Sequence, residues 1–201
     1  KNYYDEYKDI SISLDKNLSP SKNAENYFKR YNKKKRTLEA VEKQLEELNL
    51  EFDYVHSLIS FIETAETVKE LKEVEKELKA VGIIKGEQNK KKKIKEKTNF
   101  LTYKVDAYPV KLGKNNLQND ELVKSAEGKD LWFHVKGYHS SHAIIETKGE
   151  EVPEKIKVIV AEICAYFSEA KNGGKVEVDY TYKKFVKKPQ GAKPGFVHYV
   201  N

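Results

Sequence analysis

The stretch Asp130–Ile145, "DLWFHVKGYHSSHAII", holds the residue types that build catalytic and metal sites: one aspartate, three histidines and two serines. A hydrolytic triad requires a nucleophile within hydrogen-bond reach of a base that a third group orients. Asp130 and His134 are separated by about 13 Å if the segment is an extended strand. Neither serine lies in the glycine-flanked turn of a nucleophile elbow. The sequence therefore predicts a protein that is not an enzyme.

The three histidines of this stretch, His134, His139 and His142, have no acidic or thiol ligand at a recognisable spacing. A zinc trio assembled by the turn after Gly137 is the less favoured alternative. Cys164 is the only cysteine, so no disulfide can form within the chain and a multi-cysteine zinc site is excluded. We expect neither a metal nor a cofactor.

The alternation of a strand divides the side chains of residues 131–136 between two faces. The set expected in the core is Leu131, Phe133 and Val135. The opposite set is Trp132, His134 and Lys136. An aromatic ring, an imidazole and a cation in a row are typical of a surface that stacks on bases and contacts phosphates. Burial of Trp132 in the domain core, and ordinary hydrogen-bonded histidines, are the alternatives.

Two segments near these strands carry further candidates for RNA contact. "GKNNLQNDEL" begins at Gly113 and offers Lys114, Asn115 and Asn116. These side chains suit phosphate or ribose contacts, or they cap the helix that follows. "VKKPQGAKPGF" offers Lys187, Lys188 and Lys193 in a loop that two prolines stiffen. Neither segment has the spacing of a phosphate-binding P-loop.

The composition indicates a polyanionic partner. The chain has 201 residues, a net charge of +6 and a pI near 9.0, a balance that favours phosphate neutralisation and counterion release. Charged residues make up 35% and hydrophobic residues 38%, which predicts a long solvated helical section beside a smaller core. We find no apolar run long enough to span a bilayer and expect a cytoplasmic location without membrane association.

A heptad pattern begins at Ala24 and predicts the seam of a coiled coil. Its positions are Ala24, Tyr27, Tyr31, Lys34, Leu38, Val41, Leu45, Leu48, Phe52, Val55, Ile59 and Ile62. Ser19 is the predicted N-cap, and Thr64 or Thr67 caps a second helix that Gly82 interrupts. The pattern predicts an antiparallel coiled-coil hairpin with its tip near residues 60–68. Its charged outer faces serve either as a plain spacer or as a docking surface for a protein partner.

The basic run Asn89–Lys97 marks a predicted boundary between domains 1–97 and 98–201. Beyond it the period changes to two, which predicts six strands at 100–106, 108–113, 131–137, 142–147, 175–186 and 196–200. A short helix is expected from Gln118 to Ala126. A longer one is expected to bury Ile156, Ile159, Val160, Ile163 and Phe167 and to end at Asn172-Gly173-Gly174. The fold class is α+β: a long antiparallel coiled-coil hairpin followed by a compact mixed domain.

Several of these segments resemble the NFACT family. "GKNNLQND", "DLWFHVK" with "SHAII", and "VDYTYKKFVKKPQGAKPGFVHY" are similar to its C-terminal RNA-binding domain. "ISLDKNLSPSKNAENYFKRYNK" is similar to the beginning of the coiled coil in its middle section. The family usually has a Pro-Gly-Ser-His turn where this chain has "GYHSSH", so Ser140 replaces the expected glycine.

The resemblance implies a part in ribosome-associated quality control, as in the bacterial RqcH group of the family. Such proteins bind the large ribosomal subunit, with its rRNA and peptidyl-tRNA, and recruit tRNA for a template-free, alanine-rich C-terminal tail. The ribosome makes the bonds, so the resemblance implies no catalytic residue. The family's older name supplies the alternative of a surface adhesin that binds fibronectin.

Overall fold

The computed structural model describes residues 1–85 and 99–200. The chain divides into two compact units, Lys1–Glu51 and Phe52–Asn201. The basic run Asn89–Lys97 and the domain boundary predicted at its end lie outside the described residues. Within them, none of the helices is at once long and apolar enough to cross a membrane.

Helix α1 (Pro20–Thr64) begins where the sequence predicts. The hydroxyl of Ser19 accepts a hydrogen bond from the amide of Lys22 (3.2 Å), which satisfies one of the free N–H groups of the first turn. The buried side chain of Asn23 accepts from the amide of Asp15 (2.8 Å) and donates to its carbonyl (3.0 Å). These bonds fasten the preceding segment to the helix start.

The predicted heptad seam is exposed along the first unit. The side chains concerned are Tyr27, Tyr31, Leu38, Val41, Leu45 and Leu48, with exposed fractions of 36–62%. In the second unit a different face is buried, formed by Tyr54, Leu58 and Phe61. The pattern therefore predicted the helix correctly and its buried side wrongly.

Helix α2 (Val68–Ala80) packs on the last turns of α1 through Val74, which is 1% exposed. Thr67 and Glu70 form a capping box at its start, which confirms Thr67 as the N-cap. A helix of 13 residues is about 20 Å long, whereas the 45 residues of α1 extend about 68 Å. The predicted hairpin along the whole seam is therefore not confirmed, because α2 is too short to cover it.

The rest of the second unit is an α+β domain. Its elements are β1 (Leu101–Val105), β2 (Tyr108–Leu112), α3 (Asn116–Ser125), β3 (Leu131–Val135), β4 (Ala143–Ile145), α4 (Glu154–Tyr166), β5 (Val178–Tyr182), a 3₁₀ turn (Lys183–Phe185), β6 (Val186–Lys187) and β7 (His198–Tyr199). Five strands form a sheet in the order β1-β2-β4-β3-β5, with every neighbouring pair antiparallel. The short strands β6 and β7 pair separately.

Both faces of the five-stranded sheet are covered. Helix α4 packs on one face, where Phe133, Val135 and Ile145 meet Ile156 and Val160. The other face carries a second cluster, which contains Leu122, Val123, Trp132, Ile144 and Val186. A sheet with two buried faces leaves little room for an exposed interaction surface on its inner strand β3.

Helix α4 ends at Tyr166, before the predicted stop at Asn172-Gly173-Gly174. The side chain of Ser168 donates to the carbonyl of Ala165 (2.7 Å) and accepts from the amide of Ala170 (3.1 Å). Ser168 also pairs with Ser140 in an isolated antiparallel bridge. These bonds hold residues 167–172 in turns around the bridge at Ser168, so the local serine chemistry prevails over the glycine signal.

Candidate nucleic-acid interface

The Trp132 face of β3 is a core and not a stacking surface. Trp132 is 0% exposed, with the ring of Tyr199 at 4.7 Å and that of His142 at 5.2 Å between centroids. Leu122 from α3 belongs to the same cluster. A ring with no accessible face cannot stack on a base, so the stacking role expected for Trp132 is corrected to the core role that was its alternative.

His134 and His142 line the same interior. The ring of His134 is parallel to that of Trp132 at a centroid distance of 5.6 Å. Burial, aided by nearby His139, lowers the pKa of His134 to about 4. Burial also holds the pKa of His142 well below its ordinary range. Both imidazoles are neutral at neutral pH, so His134 offers no positive charge to a phosphate.

Lys136 is the exposed member of the predicted set. Its ammonium lies 3.0 Å from the carboxylate of Glu177, and this contact raises the pKa of Lys136. The pair is solvent-exposed, so it costs little to exchange Glu177 for a phosphate. Lys136 therefore remains accessible to a polyanion.

The segment after Gly113 contacts the helical pair. The ammonium of Lys114 bonds the carboxylate of Glu70 in α2 and lies 4.8 Å from the ring centroid of Phe167. The side chain of Asn115 accepts from the amide of Gln118 (2.8 Å) and so caps α3. Lys114 and Asn115 therefore stabilise the fold, and the alternative that Asn115 caps the following helix is confirmed.

Asn116 is also an internal contact. It is 5% exposed, and its amide donates to the hydroxyl of Ser57 in α1 (2.8 Å). Gly195 packs directly against it, since a Cβ there would lie 2.4 Å from Oδ1 of Asn116. The predicted contact of Asn116 with RNA would require these two segments to separate from it.

The C-terminal loop divides its lysines between two roles. Asp120 of α3 accepts from the amide of Gly195 (2.9 Å) and from the ammonium of Lys188, which fixes the loop. Lys187 and Lys193 are exposed. Lys193 contacts the ring of Tyr54 at 5.4 Å from its centroid. The loop therefore exposes the ammonium groups of Lys187 and Lys193, while the buried carboxylate of Asp120 fixes its backbone.

Sequence reasoning missed two exposed aromatic rings beside this loop. Tyr182 and Phe185 are each 46% exposed. The ammonium of Lys184 lies 5.4 Å from the ring centroid of Tyr182 and 4.9 Å from that of Phe185. The signal was the interleaving of aromatic residues and lysines in "YTYKKF", at the end of the edge strand β5. Exposed rings beside lysines can stack on unpaired bases while the cations contact phosphates.

We name the exposed side chains that follow one another along the C-terminal segment, Tyr182, Lys184, Phe185, Lys187 and Lys193, the basic aromatic edge. It replaces Trp132 and His134 as the candidate stacking surface. Each of its lysines and rings is exposed. Of the residues predicted from the sequence, Lys187 and Lys193 are exposed members of this set, and the others have the roles described above.

Two family models match successive parts of the chain. Residues 1–97 match the model of the NFACT N-terminal and middle domains, and residues 97–201 match that of the NFACT protein RNA-binding domain. The chain is 38% identical over 203 residues to the Rqc2 homolog RqcH of Bacillus subtilis (strain 168). It is 37% identical over 199 residues to that of Streptococcus suis (strain 05ZYH33). Each alignment covers 98% of this chain.

The chain spans about a third of the length of these curated relatives, 35% and 36%. A solved structure of the C-terminal part of the fibronectin/fibrinogen-binding protein from Streptococcus suis is similar with a TM-score of 0.82 and 34% identity. That likeness covers 92% of this chain and 74% of the other. Two adjoining family models, and alignments above 30% identity that cover 98% of this chain, lead to one conclusion: the chain belongs to the NFACT family.

Proposed function

We propose that the chain is the RNA-binding and ribosome-binding part of a ribosome-associated quality-control factor. The observation that carries the proposal is the match of residues 97–201 to the RNA-binding domain of the family. The similarity to Rqc2 homologs named RqcH supports the quality-control context. The net charge of +6 is consistent with a nucleic-acid partner.

The basic aromatic edge is the contact surface in this proposal. Lys187 and Lys193 neutralise phosphates, while Tyr182 and Phe185 stack on unpaired bases of structured RNA. Lys136 adds a cation that exchanges Glu177 for phosphate. The other predicted residues support this surface from the interior, because each of them already makes an internal contact or is buried. They are Lys114, Asn115, Asn116, Trp132, His134 and Lys188.

The chain acts by positioning and not by catalysis. It binds the rRNA of a large subunit that still carries peptidyl-tRNA, in the cytoplasm, and supports recruitment of tRNA for template-free alanine tailing. The peptidyl-transferase centre of the ribosome makes the bonds. The exposed apolar seam of α1 offers a protein partner a contact surface of heptad spacing.

Charge reversal on the basic aromatic edge tests the RNA contact. Lys187→Glu with Lys193→Glu removes two phosphate contacts, so affinity for a structured rRNA fragment should fall at least tenfold at 100 mM salt. The slope of log affinity against log salt should flatten by about 1.5, since each contact contributes roughly 0.7–0.9. Fluorescence anisotropy over a salt series measures both quantities.

The matched control is Lys104→Glu with Lys155→Glu. It makes the same change in net charge at exposed positions on β1 and α4, outside the basic aromatic edge. This variant should retain the wild-type salt slope. Equal losses in both double variants would mean that net charge alone drives binding and would remove the edge from the account.

Fibronectin binding is the second candidate, and one observation favours it. The similar solved structure belongs to a fibronectin/fibrinogen-binding protein of Streptococcus suis. If this chain shares that property, surface plasmon resonance should record saturable binding to immobilised fibronectin. Competition by rRNA would place both ligands on the basic aromatic edge, whereas additive binding would separate them.

A further inference from the structure

Three side chains with metal-binding atoms meet at the end of α1. His56 comes from the last turns of α1, His139 from the turn after β3, and Glu169 from the segment after α4. One ligand atom of each lies within 4.8 Å of the other two. Because the three residues are far apart in the sequence, no spacing motif could reveal the cluster, and the sequence predicted no metal.

The distances between these ligand atoms equal or exceed those around a bound divalent ion, and they would shorten when an ion binds. Two ligand atoms at 2.0–2.2 Å from a tetrahedral Zn²⁺ are separated by about 3.4 Å. Nδ1 of His56 and Oε1 of Glu169 are 3.5 Å apart. His139 needs only a modest side-chain movement to complete the set, since its ring centroid lies 5.2 Å from that of His56.

The backbone holds two of the three positions together. The amide of Glu169 donates to the carbonyl of His139 (3.1 Å). The neighbouring residues Ser140 and Ser168 form an antiparallel bridge. Preorganisation of this kind lowers the entropic cost of gathering ligands around an ion.

The charge of the cluster favours a cation. Glu169 and Asp53 are both near enough to His139 to act on it electrostatically. The two histidines are half-buried and Glu169 is exposed. An ion from solvent can therefore reach the cluster, where two carboxylates lie near two imidazoles.

We propose that His56, His139 and Glu169 bind a divalent transition-metal ion, with Zn²⁺ as the best fit. Two imidazoles and one carboxylate form a recognised zinc ligand set that leaves a fourth position for water. The bound ion ties the last turns of α1 to the turn after β3 and to the segment after α4. The site is independent of the proposed RNA function.

Calorimetric titration of the tag-free, chelator-treated chain with Zn²⁺ tests the site. We expect one equivalent to bind with a dissociation constant below about 10 µM and to raise the melting temperature by mass action. His139→Ala and the nearly isosteric Glu169→Gln should each weaken binding at least tenfold. His198→Ala, which removes an exposed histidine of β7 outside the cluster, should bind as the wild type does.

Any of three results would overturn the proposal. The first is the absence of saturable Zn²⁺ binding up to about 100 µM. The second is equal Zn²⁺ affinity in the wild type and Glu169→Gln, because that surface substitution preserves the fold and removes one ligand. The third is a loss in His198→Ala as large as in His139→Ala, which would place the ion elsewhere.

Discussion

At the scale of the residue, burial decides which side chains are available for function. Trp132 and Phe185 are both aromatic, yet the first is 0% and the second 46% exposed. Lys188 and Lys187 are neighbours, yet the first bonds Asp120 and the second is exposed. Residue type and the alternation of side chains along a strand cannot tell the buried residue from the exposed one, because burial depends on what covers the second face of the sheet.

Burial of His134 also makes stability depend on pH. Its pKa in the folded chain is about 4, below the ordinary value of 6.5, so the unfolded chain binds the proton more readily. This contribution to stability is complete above pH 6.5 and is lost as the pH falls from about 6.5 towards 4. Between pH 7.5 and 5 the free energy of unfolding should fall by on the order of 2 kcal/mol through His134 alone.

Urea denaturation of the wild type and of His134→Phe at both pH values measures this contribution. The variant keeps a ring beside Trp132 and removes the titrating group, so its pH-dependent loss should be smaller by about that amount. His198→Phe, at an exposed position, is the control and should follow the wild-type profile. Identical losses in the wild type and His134→Phe would contradict the assignment.

At the scale of the element, local side-chain chemistry predicted the helix starts, their N-caps and the strands well. Ser19 and Thr67 cap helices as expected, and the strands lie within or close to the predicted segments. The end of α4 was misplaced because of local hydrogen bonds of Ser168, whereas the buried side of α1 was misplaced because of a tertiary contact. The heptad seam of α1 is exposed while Tyr54, Leu58 and Phe61 are buried, because the short helix α2 packs on a different side.

The contact of α1 with α2 contains a buried carboxylate, and its removal should loosen the pair. Glu77 is 0% exposed and accepts from the hydroxyl of Tyr54 (2.7 Å), and burial raises the pKa of Glu77. Glu77→Ala leaves that hydroxyl unpaired and should cost about 1–3 kcal/mol. Glu77→Gln keeps an acceptor without a buried charge and should retain most of the stability.

Chemical denaturation of both variants, monitored by circular dichroism, measures the difference. Glu75→Ala removes a carboxylate from the exposed side of the same helix, where Glu75 pairs with Lys79 (2.6 Å). It should change stability by at most about 0.5 kcal/mol. A loss in Glu77→Ala no larger than in Glu75→Ala would show that the buried bond does not hold the pair together.

At the scale of the whole molecule, the structure separates internal contacts from accessible ones. The segment that contains Lys114, Asn115 and Asn116 contacts α1 and α2, and Asp120 fastens the C-terminal loop. These contacts leave the basic aromatic edge exposed on a fixed support. The family match predicts the kind of ligand, whereas the packing predicts which lysines and rings reach it.

The most direct test of the central claim is sedimentation of the chain with purified large ribosomal subunits from low to high salt. The account predicts salt-sensitive co-sedimentation. Lys187→Glu with Lys193→Glu should lose it, and Lys104→Glu with Lys155→Glu should keep it. If the chain fails to co-sediment even at low salt, or if both double variants sediment as the wild type does, the claim that this edge binds ribosomal RNA is contradicted.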